Sequence, residues 1–264
     1  MPGRSSILLA IAFLAAALAP VVAQPRRDGS APPPAYVDYE IKGKLFRVPE
    51  PYIDVPPARE QLGRLNTIQQ GFGVAFWLSD RKPSPLRIPS LNTYYPRETG
   101  RPSSGDQDFI VAARTVTYLP PDLAQRSVLP SQRLANSLKS NFFFQEGNRI
   151  EFSIHGLNCY RTTVPTQHAI LCATPADASV DVLLLIGWDL RDYPNGPPNP
   201  SWGAHVFSKS DGLSMFLSFP DILSRWSDVI CETLSLVRSW QMPPDRSGDG
   251  CAITQASAGH KLPQ

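Results

Sequence analysis

Apolar and polar positions alternate at period two through most of the middle of the chain, and this pattern predicts a run of short strands. Phe72, Val74, Phe76 and Leu78 share one face of a strand over 71–78, while Gly71, Gly73 and Ala75 leave the other face thin enough for close packing. Segments 36–41 and 44–48 flank Lys42-Gly43, where glycine can take the positive φ of a two-residue hairpin turn. Alternation also predicts strands over 108–119, 149–155, 159–164 and 167–173. The run Val180-Asp181-Val182-Leu183-Leu184-Leu185-Ile186 is nearly all apolar and predicts a central strand buried on both faces. Segments 204–208 and 213–219 predict a hairpin around 209–212.

Beyond Pro220 the period lengthens to three and four. Ile222, Trp226, Val229, Ile230, Thr233, Leu234, Val237 and Trp240 form one stripe, which predicts a long amphipathic helix from Asp221 to Gln241. Pro220 and Asp221 suit its first turn, and Pro243-Pro244 ends it. Leu134 and Leu138 predict a shorter helix over 131–141. Strands joined by short turns pair antiparallel. The expected fold is therefore α+β: a twisted, mainly antiparallel sheet with the long C-terminal helix packed on one face. One domain is expected over 36–242, followed by a tail over 243–264.

The first residues follow a different pattern. Arg4 precedes an apolar run from Ile7 to Ala19; Pro20 interrupts it, and Val21-Val22-Ala23 supplies small residues for cleavage. That order predicts a signal peptide over 1–23. The run is short of the roughly 20 residues of a comfortable bilayer crossing, so the alternative, an uncleaved anchor, ranks second. Export to the periplasm or the extracellular space is expected, with no integral membrane segment after cleavage. Residues 24–35 carry Pro, Arg, Gly and Ser with little to bury and predict a disordered, Pro-rich leader.

Export changes the meaning of the cysteines. Four are present, Cys159, Cys172, Cys231 and Cys251. In an oxidising compartment an even number without C-x-x-C spacing predicts two disulfides. A turn near Pro165-Thr166 would bring Cys159 opposite Cys172, and Cys231 with Cys251 would then tie the tail back to the helix. Proline, 28 of 264 residues, falls mostly between the apolar segments, so short elements joined by stiff loops are expected. Without residues 1–23, which hold Arg4 and no acid, the formal charge drops from +2 to +1. Such a surface exerts no general pull on nucleic acid, and no basic block is present to recruit one.

The sequence contains no convincing catalytic constellation. His155, His168, His205 and His260 lack helical metal spacing, although His155 and His168 lie on neighbouring predicted strands. The G-x-S-x-G elbow is missing, and no Gly-rich phosphate cradle opens a helix. Asp245-Arg246-Ser247-Gly248-Asp249-Gly250 begins like a calcium loop, but Ala256 stands where a bidentate Glu is required. Neither a cofactor nor a metal is expected.

Two Pro-rich loops carry the residue types that binding surfaces favour. One, over 79–105, holds Tyr94 and Tyr95. The other, over 189–202, holds Asp189, Arg191, Asp192, Tyr193 and Trp202. These seven residues are the candidate binding set. The favoured reading is an exported, non-enzymatic protein that binds a protein or cell-envelope component, for example by immunity-like sequestration of a toxic partner. Two alternatives remain: an envelope hydrolase with a spatially assembled His/carboxylate site, and an envelope-assembly component whose exposed sheet edge recruits a strand.

Overall fold

A computed structural model of the chain describes residues 36–53, 71–84, 108–124, 129–197 and 200–243. All of them fall within the compact unit Pro34–Gln264. The segments expected as signal peptide and leader lie outside the described residues, as do Tyr94, Tyr95, Cys251 and the 245–250 loop.

Eleven described strands form two sheets. The small one has the order β1-β2-β11, built from β1 (Tyr36–Ile41), β2 (Lys44–Pro49) and β11 (Gln241–Met242). The large one has the order β3-β4-β10-β9-β8-β7-β6-β5. Its strands are β3 (Phe72–Trp77), β4 (Ile110–Tyr118), β5 (Arg149–Ile154), β6 (Leu157–Thr162), β7 (Gln167–Ala173), β8 (Val180–Asp189), β9 (Ser201–Ser208) and β10 (Leu213–Pro220). Every strand pairing is antiparallel. Two helices of more than one turn are described, α1 (Pro130–Ser140) and α2 (Trp226–Ser239).

Local chemistry fixes the hairpins. Lys42 (φ 49°) and Gly43 (φ 82°) close β1 onto β2, and His155 (φ 49°) and Gly156 (φ 75°) close β5 onto β6. Both are two-residue turns with positive φ at both central positions, whose twist matches the strands. Gly71 is required for a different reason: a Cβ there would lie 2.3 Å from the Val116 carbonyl oxygen, so β3 could not approach β4. In the β6–β7 register Cys159 stands opposite Cys172, Cα to Cα 4.1 Å, and the two form a disulfide. The expected second bridge has only Cys231, on α2, among the described residues.

One face of the large sheet carries Leu157, Cys159, Cys172, Val182, Leu184, Val206, Met215 and Leu217. These pack with Trp226, Val229, Ile230, Leu234 and Val237 of α2 and with Val37, Tyr39, Ile41 and Phe46 of the small sheet in one continuous core. The start of α2 contacts the large sheet at two separate places. The Arg225 guanidinium lies over the Phe109 ring beside β4, and the neighbouring Trp226 Nε1 donates to the His155 carbonyl beyond β5 (3.0 Å). At its other end Arg238 Nε donates to Asp211 Oδ2 in the β9–β10 turn (2.5 Å). The opposite face is covered in part by α1, with Leu134 and Leu138 against Phe144, Leu171, Ala173 and Leu183. Buried Asp181 anchors α1 by accepting from both Ser131 N and Ser131 Oγ, a carboxylate at a helix N-terminus.

Two expectations need correction. The helix expected from Asp221 to Gln241 is shorter. Pro220 is the last residue of β10, the Asp221 carboxylate accepts from Trp202 Nε1, a 3-10 turn occupies Leu223–Arg225, and α2 runs only from Trp226 to Ser239. At its far end Gln241 and Met242 leave the helix to pair with β2. The other correction concerns β8, which is not buried on both faces along its whole length. Leu185 is 47% exposed, because α1 covers the outer face only beside Leu183 and its neighbours.

Candidate interaction surface

The chain leaving β8 is held in one shape by Asp189. Its Oδ1 accepts from the Arg191 backbone N–H at 2.8 Å, a carboxylate-centred turn that ends the strand. Its two oxygens also accept from the Arg191 guanidinium, Nε to Oδ1 at 3.0 Å and Nη2 to Oδ2 at 2.6 Å, while Gln167 Nε2 on β7 donates to Oδ2. Leu190 N donates to the Thr166 carbonyl, Tyr193 N to the Asp189 carbonyl and Gly196 N to the Tyr193 carbonyl. The Arg191 hydrogen bonds hold the Asp189 carboxyl at about 2, below the ordinary carboxylate range. The carboxylate therefore remains charged throughout the physiological range.

This arrangement presents Arg191, Asp192 and Tyr193 to solvent side by side. The Arg191 side chain is 74% exposed although its head group is anchored, and Tyr193 is 46% exposed. An ion pair this exposed contributes little to folding. What it does is fix a planar cation beside Tyr193 before any partner arrives, which lowers the entropy lost on binding. Of the candidate residues, Asp189, Arg191, Asp192 and Tyr193 thus come together in one loop. Trp202 does not join them. It lies in β9, only 2% exposed, and its indole donates to Asp221 at 2.7 Å beneath the helix approach. It is a core residue and cannot touch a partner. Tyr94 and Tyr95 lie outside the described residues.

The three described histidines are dispersed, and His260 lies outside the described residues. His155 sits in the β5–β6 turn. His168, at the opposite end of β7, stacks on Trp188 with ring centroids 4.0 Å apart. His205 stands on the other face of the sheet against Phe216. Burial pushes His168 and His205 below the ordinary imidazole value. Among the described residues no group of His, Cys, Asp and Glu is arranged to hold a metal ion. No described helix is long and apolar enough to cross a membrane.

A second exposed feature lies at the end of the large sheet. Ile150, Phe152 and Ile154 on β5 are 46%, 37% and 38% exposed, and no described strand lies beyond them. Their alternation is that of any half-buried strand. Only the strand order, with β5 last, shows that this apolar row ends in solvent.

No family model matches the chain, and no characterised protein matches it by sequence. Two solved structures resemble it. One is Smlt3025, an immunity protein of the Stenotrophomonas maltophilia type IV secretion system, at 12% identity and TM-score 0.46, covering 78% of this chain and 93% of that one. Another is FrpD, an iron-regulated outer membrane lipoprotein of Neisseria meningitidis, at 10% identity and TM-score 0.36, covering 78% of this chain and 92% of that one. At these scores neither resemblance assigns a family or an activity to this chain.

Proposed function

We propose that this chain is an exported, non-enzymatic binding protein that holds a protein partner in the periplasm or outside the cell. The observation that carries the reading is the loop after β8, where Asp189 pre-organises Arg191 and displays it beside Tyr193. Rigid aromatic and arginine side chains are the anchors that dominate protein interfaces. The signal-like residues 1–23 and the Cys159–Cys172 bridge fit an oxidising destination. Immunity-like sequestration of a toxic enzyme is the specific form we favour, because it requires binding and no chemistry.

Partner capture from a periplasmic extract, quantified by mass spectrometry, tests the reading. Arg191→Ala and Tyr193→Ala are each expected to weaken capture at least tenfold, and Asp189→Asn to weaken it by releasing Arg191. Unfolding stability should stay within about 0.5 kcal/mol of the parent, as for surface changes. Capture unchanged in all three variants would remove the loop from the interface.

A second reading, an envelope-assembly component that recruits a strand, is favoured by the open, apolar β5 edge.

A further inference from the structure

The two edges of the large sheet are treated differently. Outside β3, the chain returns on itself. Ser84 N donates to the Ala75 carbonyl, Trp77 N to the Lys82 carbonyl, and Pro83 and Ile53 make isolated bridges to Phe76 and Val74. That edge is occupied, in part by proline. β5 has no proline, no lysine and no bulge, and its charges are limited to Arg149 and Glu151, which pair with each other.

The register shows which backbone groups are open. Thr163 N donates to the Asn148 carbonyl at 2.8 Å, continuing a ladder in which Ile150, Phe152 and Ile154 face Arg161, Cys159 and Leu157. Hydrogen-bonded pairs alternate along an antiparallel ladder. The even-numbered residues of β5 therefore direct N–H and C=O toward β6, and Arg149, Glu151 and Ser153 direct theirs outward. No described group bonds to these outward amides and carbonyls.

We infer that the β5 edges of two copies of this chain pair antiparallel about a twofold axis through Phe152, making the protein a dimer with one continuous sheet. The inference deepens the strand-recruitment reading by naming the strand as the chain's own. Self-complementarity carries it. With Phe152 opposite the partner's Phe152, Ile150 meets the partner's Ile154 and Ile154 the partner's Ile150, so the whole apolar row is covered. Glu151 then meets the partner's Ser153 in a hydrogen-bonded pair. Sliding by one pair in one direction sets Glu151 against the partner's Glu151, which like-charge repulsion disfavours; in the other direction it sets Ile150 against the partner's turn residue Gly156 and leaves that end of the row uncovered. Sliding further sets Phe152 against the partner's Asn148 and uncovers the row. The row lies on the sheet face that carries Leu157 and Cys159, so pairing extends the existing core outward.

Sedimentation analysis of the mature protein from about 1 to 500 µM, the range of modest interfaces, is expected to show mass rising toward twice the monomer. Phe152→Lys and Ser153→Pro should each weaken association at least tenfold. Ser153→Pro removes an outward N–H and leaves the β6 ladder intact, so an unchanged circular dichroism melt separates lost pairing from lost folding. In an equimolar mixture, Ile150→Cys and Ile154→Cys proteins should form a mixed disulfide dimer faster than either forms one alone. A monomer at every concentration, or a mixture that crosslinks no faster than its components, overturns the inference. If that monomer carries a photocrosslinker at Ile150 and captures a foreign strand in extract, the edge belongs to another protein, and strand recruitment stands without the dimer.

Discussion

Replacing Trp226 with alanine is expected to lower the unfolding free energy by about 3–5 kcal/mol, the range for deleting a large buried aromatic. Trp226 is 1% exposed and belongs to the core shared by the large sheet and α2. Its indole also supplies the hydrogen bond to the His155 carbonyl that links the start of α2 to the far edge of the sheet. Alanine leaves a cavity and an unsatisfied carbonyl together. Phenylalanine keeps most of the volume and loses only the donor, so Trp226→Phe should cost about 1 kcal/mol. Urea denaturation of the three proteins measures both values. A loss under 1 kcal/mol for alanine would mean that the β5–β6 end of the sheet does not fold onto α2.

Removing the Cys159–Cys172 bridge is expected to cost about 3 kcal/mol on the chain-entropy estimate for a loop of this length. The sequence separation is 13, and the two residues already stand opposite each other in neighbouring strands. The effect should be local as well as global. β5 and β6 lie at the end of the sheet, with Leu157 and Cys159 as their contribution to the main core. In a Cys159→Ala/Cys172→Ala protein, hydrogen exchange should therefore accelerate first in β5, β6 and β7, ahead of β3, β4 and β10. Uniform acceleration across all strands would show that the bridge acts on the unfolded chain alone.

Much of the fold was legible in the sequence because its local signals are strong. Lys42-Gly43 marked a turn, the alternation over 72–78 marked a strand, and the spacing around Pro165-Thr166 placed Cys159 against Cys172. The errors arose where tertiary partners overrode local preference. Pro220 and Asp221 resemble a helix start, but Asp221 is taken by the Trp202 indole, and the helix begins at Trp226. Trp202 looks like a loop aromatic because of its proline-rich neighbours, yet its burial is set by β9 lying between β8 and β10. Asp189, Arg191, Asp192 and Tyr193 could be identified as a cluster from their spacing alone. That Asp189 organises the others follows only from the hydrogen bonds. The open edge could not be read at all, since Ile150, Phe152 and Ile154 have the pattern of an ordinary strand and strand order is a property of the whole sheet.

Every functional statement about this chain depends on its leaving the cytoplasm. Intact-mass analysis of the protein purified from its natural source, denatured and alkylated before and after reduction, tests that directly. The predicted result is a chain beginning at Gln24 that takes up no alkylating reagent until reduced and four equivalents afterwards, matching its four cysteines. A chain that still begins at Met1 and is alkylated at all four positions without reduction would contradict the account.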